Sequence, residues 1–140
     1  MEEMHTLTPQ ALTDVVLRFC RRVNAAVSPV FVPIVPGPNA KVNECFPNVQ
    51  AKIAVDGGGF ENGWQIWEWP NVYIEAEFHS VWVSAQGDRV DVTPKPIPMD
   101  RILFVSDPSR SYAEKQGGFD ASKLKHGCYF IGYVPKPTTT

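Results

Sequence analysis

The chain lacks any apolar run near the ~18 residues that a membrane-spanning helix requires, and it lacks a charge excess of either sign. Thirteen Lys and Arg stand against fifteen Asp and Glu, a formal charge of −2. That balance gives no electrostatic basis for binding nucleic acid or an anionic membrane surface. Cysteine is scarce and odd in number, with three in 140 residues (Cys20, Cys45, Cys128), so they cannot all pair within one chain. The start, Met1-Glu2-Glu3-Met4-His5, is acidic with no apolar run behind it, unlike a secretory signal. The expectation is a cytoplasmic protein whose cysteines are thiols. Each is then a core residue, a metal ligand or a nucleophile.

Hydrophobic residues make up 44% of the chain, enough for a core, so bulk disorder is excluded. Thirteen prolines and 11% aromatics favour a β-rich domain with many rigid turns. Length predicts one domain over residues 1–140, with 135–140 as a frayed tail.

Thr8-Pro9 reads as an N-cap followed by a first-turn proline. Leu12, Val15, Val16, Phe19 and Val23 then form one apolar stripe, with Cys20 at its edge. The prolines between Val30 and Pro38 forbid a central strand and predict an extended edge or connector. A second helix is expected to begin around Cys45 to Pro47, since proline is tolerated only in a first turn, and to stop at Gly57-Gly58-Gly59. From Trp64 the pattern turns to sequential strands: 64–69, 72–85, 89–93, 102–105 and 128–134, with a loop or short helix over 109–125. Helices followed by a run of strands predict an α+β fold, two helices packed on an antiparallel sheet of about five strands.

Cys45, His79 and Asp91 form the chemical constellation. A thiol attacks as thiolate, a state favoured by a helix N-terminus and by a nearby imidazolium. The imidazole in turn needs a third group to hold its tautomer. A turn centred on Gln86-Gly87 would set 89–91 opposite 82–84, which leaves Asp91 diagonal to His79 and requires a longer loop or a bulge for contact. Bland readings compete: Cys45 as a small core residue, His79 satisfied by a backbone carbonyl, Asp91 as a turn cap. Glu75 and Glu77 share the His79 face, as a solvated edge, a group orienting His79 or a site for a cation. Trp64, Trp67 and Trp69 are core candidates, one of which could line an acyl pocket. His126-Gly127-Cys128 could join Cys45 and His79 around zinc, or be a plain final strand.

Cys45 at a helix start, His79-Ser80-Val81-Trp82 and Asp91-Val92-Thr93-Pro94 resemble the Cys–His–Asp core of the transglutaminase-like branch of papain-fold enzymes. Two departures are visible: Trp82 lies three residues after His79 rather than two, and no Trp adjoins Cys45. Cys45-Phe46-Pro47-Asn48, Gly63-Trp64-Gln65-Ile66-Trp67-Glu68 and Ile102-Leu103-Phe104 are also similar to an uncharacterised bacterial and phage group sometimes labelled zinc-chelating (SEC-C-like). The Cys-rich tail behind that label is not in this chain. The transglutaminase-like resemblance implies a cysteine hydrolase, deamidase or acyl transferase acting on an amide, such as a glutamine carboxamide in a protein or peptide. Cys45 would be the nucleophile, His79 the base and Asp91 its orienter, with no metal and no cofactor. Gln65 or Asn48 would assist the backbone N–H of Cys45 at the oxyanion, and Trp64 and Glu77 would face substrate. The alternative is a non-catalytic module that binds a host protein through its Pro-rich edge and tryptophans.

Overall fold

The computed structural model describes residues 6–110 in full and, further on, the backbone of residues 124–125 and 128–133. Two helices, α1 (Asp14–Val23) and α2 (Cys45–Asp56), pack on an antiparallel sheet. The strands are β1 (Val30–Pro33), β2 (Gly59–Trp69), β3 (Tyr73–Val83), β4 (Arg89–Val90), β5 (Arg101–Ser106), β6 (Leu124–Lys125) and β7 (Cys128–Tyr133). Their order is β1-β5-β2-β3-β7-β6, with β4 also on β3. The expected α+β class holds. The tail at 135–140 and most of the expected loop at 109–125 lie outside the described residues.

Five of the strands curl nearly into a barrel. β1 pairs with β5, β5 with β2, β2 with β3 and β3 with β4. The circuit closes where Ile34, just past β1, makes a parallel bridge to Asp91, just past β4. Two backbone bonds hold this seam, Val35 N–H to Asp91 O and Asp91 N–H to Pro33 O, both 2.9 Å. The proline-dense segment is thus a short strand with one antiparallel partner, as its missing donors require.

Side-chain alternation divides the sheet. Trp64, Ile66, Ile74, Ala76 and Phe78 share one face with Leu103 and Val105, and Val16, Phe19 and Cys20 of α1 cover it. Inside the curl a smaller core forms from Val32, Val81, Ile102 and Phe104. Gln65, Glu77 and His79 fall on that inner face by parity.

Helix α1 begins later than Thr8-Pro9 predicts. Thr13 is its N-cap, its side chain accepting from Val16 N–H at 3.3 Å. Thr8 Oγ1 instead donates to Arg101 O at 2.7 Å, and Leu7 exchanges backbone bonds with Glu68, so that segment stays extended. Leu12, ahead of the helix, and Val15, in its first turn, are exposed, whereas Val16, Phe19 and Cys20 are buried. Among the described residues, no helix is long and apolar enough to cross a membrane.

Candidate active site

Helix α2 starts at Cys45, as the position of Pro47 requires. Asn43 just before it takes a left-handed conformation (φ 66° at Asn39, 65° at Asn43), a turn that lets the chain enter the helix. Phe46 sets its ring against Phe78 at 5.8 Å, and at the other end the Trp82 indole N–H donates to Gly57 O at 2.8 Å. The helix is thereby laid along β3. On the side away from β2, β3 pairs with β7 over residues 74–77 and with β4 over 82–83. The start of α2 lies against the stretch between these pairings. There Cys45 joins Gln65, Trp67, Glu77, His79 and Lys95 in lining a small pocket, partly open to solvent. Cys45 itself is fully buried.

Asp91 reaches His79 because the β3–β4 loop is one residue longer than a two-residue turn. Val83 pairs with Arg89 and Trp82 with Val90. Ser84 closes the loop, its N–H bonding Asp88 O at 2.9 Å and its Oγ accepting from Asp88 N–H at 3.1 Å. Gly87 supplies the left-handed residue (φ 93°) that such a three-residue loop needs. The expected register placed Asp91 across from Trp82, on the outer face. The observed one sets it toward Val81, on the inner face with His79, because a one-residue slip exchanges the faces. His79 Nε2 and Asp91 Oδ1 stand 3.0 Å apart, with the side chains 2% and 0% exposed.

The other carboxylate oxygen, Asp91 Oδ2, is 2.7 Å from Lys95 Nζ, and that lysine side chain is only 5% exposed. Burial alone would raise the Asp91 pKa, but His79 and then Lys95 outweigh it and lower it to about 2. Lys95 Nζ also donates to Gln65 Oε1 at 3.0 Å. Gln65 Nε2, on a residue 1% exposed, has no hydrogen-bond partner among the described residues. Glu77 lies directly across from Gln65 on β3 and accepts from the Trp67 indole N–H at 2.8 Å.

Of the seven residues singled out in the sequence, Cys45, His79, Asp91, Gln65 and Glu77 gather here. Asn48 and Trp64 do not face the pocket. The Asn48 amide is occupied elsewhere, accepting from Lys41 N–H at 3.1 Å and donating to Lys41 O at 2.8 Å and Thr93 Oγ1 at 3.0 Å. It ties the loop before α2 to the segment after β4. Trp64 lies on the opposite sheet face, its ring 5.0 Å from Phe78 and its indole N–H donating to Asp107 Oδ2 at 3.0 Å. Trp67 takes the place expected of Trp64. Lys95 is a functional residue that the sequence hides: it lies among prolines in what reads as a strand terminator, and its spacing of four from Asp91 is the one signal of the pair.

Cys20 is core, and burial pushes its thiol up to about 12 against an opposing pull from Arg21. The zinc reading needs His126 and the side chain of Cys128, which lie outside the described residues. Among the described residues, no three His, Cys, Asp or Glu side chains gather as a metal-binding group. No family model, no curated protein and no solved structure matches the chain.

Proposed function

We propose that this chain is a cysteine acyl-transfer enzyme, a hydrolase, deamidase or acyl transferase, acting on an amide such as a side-chain carboxamide of a protein or peptide. The observation that carries the reading is the buried contact of 3.0 Å between His79 Nε2 and an ionised Asp91, in the pocket that also holds Cys45 at a helix start. With Nε2 turned to the carboxylate, its proton resides there and Nδ1 is the basic nitrogen. In the proposed reaction His79 takes the thiol proton as Cys45 Sγ bonds to the carbonyl carbon, and the carbonyl electron pair moves onto oxygen. Collapse of this adduct expels the amine, which leaves with the proton held by His79. Water or a second amine then attacks the thioester and restores the thiol. As first residue of α2, Cys45 has a backbone N–H outside the helix's own bonding ladder, suited to the developing oxyanion. Asn48 being otherwise bonded, Gln65 is the side-chain amide assigned to that oxygen.

The test uses p-nitrophenyl acetate, with the acetyl group located by peptide mass spectrometry. The expected result is a Cys45 thioester formed with release of nitrophenolate, abolished in Cys45→Ala and slowed about 100-fold or more in His79→Ala. Cys20 serves as the unreactive internal control. Acetylation of Cys45 at the same rate with and without His79 would sink the enzyme reading and favour a binding module.

A further inference from the structure

Lys95 links the two halves of the pocket. Its Nζ lies 2.7 Å from Asp91 Oδ2 and 3.0 Å from Gln65 Oε1, while Gln65 Nε2 is buried without a partner among the described residues. An ammonium has three donors and no acceptor, so of the two ends of the Gln65 amide it can hold only the oxygen. A flipped amide would set N–H against N–H in a dry site and leave Oε1 without a donor. Lys95 therefore dictates which atom of Gln65 is left over, and Gln65 lines the same pocket as Cys45. An unpaired buried N–H is a cost to the folded protein, one that a substrate oxygen can recover on binding there.

We propose that Lys95 is a positioning residue that locks the Gln65 carboxamide with its N–H donor presented to the substrate oxygen, the charge on Lys95 being balanced by Asp91. The assignment rests on the acyl-transfer reading and deepens it. The lock acts on the oxyanion that appears as the carbonyl is attacked, not on thiol reactivity as such. Glu77, across from Gln65, is held by Trp67 and does not contribute to the lock.

Two reagents separate these effects. Attack on p-nitrophenyl acetate develops an oxyanion; displacement of iodide from iodoacetamide does not. Gln65→Leu, which keeps the Asp91–Lys95 pair, is expected to slow acetylation of Cys45 by about 100- to 1,000-fold, with alkylation slowed about twofold at most. Lys95→Gln keeps a donor for Asp91 but can offer Gln65 either end of an amide. It is expected to slow acetylation at least about 10-fold, again with alkylation slowed about twofold at most, and to add nothing to Gln65→Leu in the double variant. Lys95→Arg, still a pure donor, restores acetylation. The positioning role is overturned if Gln65→Leu acetylates at the unsubstituted rate, if Lys95→Gln slows both reactions alike, or if the two losses multiply. Should Lys95→Gln not fold, Gln65→Glu decides: it keeps an oxygen for Lys95 but turns an acceptor toward the pocket, and unimpaired acetylation would overturn the proposal. A chain whose Cys45 is never acetylated overturns the underlying acyl-transfer reading instead.

Discussion

Asp91 carries its charge where a lone carboxylate would be neutral. Burial opposes ionisation, and the two partners on its two oxygens, His79 and Lys95, reverse that preference. A carboxyl whose pKa falls from 3.8 to about 2 on folding binds protons more weakly in the folded state. Its stabilisation is therefore present at neutral pH and lost as the pH drops from about 4 through 2. The loss amounts to about 2 kcal/mol. Urea unfolding at pH 7, 4 and 2 should show it, and Asp91→Asn should lack this part of the acid destabilisation while being less stable at pH 7. An unchanged acid slope in Asp91→Asn would contradict the account. The sequence gives away little of this network, because Lys95 meets Asp91 and Gln65 only through a chain path that leaves β4 and turns back at Pro94 and Pro96.

At the scale of elements, periodicity is a partial guide to interiors and a poor one to ends. Val16 and Phe19 of the expected stripe are buried with Cys20 at its edge, but Leu12 and Val15 are exposed, and the helix is capped by Thr13 and not by Thr8-Pro9. Both threonines look like caps in one dimension. What separates them is that residues 7 and 8 are already bonded to Glu68 and Arg101 in space. Thr13→Ala should cost about 1 kcal/mol in chemical denaturation, the usual loss for an N-cap. A cost below a few tenths would mean that α1 is held by packing alone. The start of α2 was legible because Pro47 and Gly57 are local signals with a single physical meaning each. The face on which Asp91 lands was not, since it turns on one residue of loop length between Val83 and Arg89.

The whole molecule depends on the curl of its sheet, and Gly63 shows how tightly it is drawn. Asn62-Gly63 resembles a turn, but β2 runs through it without a break from Gly59 to Trp69. A Cβ at residue 63 would come within 2.3 Å of Val105 O and 2.6 Å of the Phe104 ring, where the inner core meets β5. Gly63→Ala should therefore destabilise by about 3 kcal/mol, at the upper end for overpacking because one obstacle is backbone. A melting temperature within a degree of the original would show that the curl is looser than this. The α+β layout could be inferred from helices followed by strands, but the closure could not, because it rests on a parallel bridge between residues 34 and 91 that leaves no pattern in the chain.

That bridge joins two tasks in one residue. The backbone of Asp91 seals the barrel against Pro33 and Val35, and the side chain of the same residue meets His79. A strain that opens the seam at Ile34 and Val35 therefore pulls on the backbone of the residue whose carboxylate stands beside the imidazole. The closure of the sheet and the charge network are thus mechanically coupled through one residue, so that loosening either loosens the other.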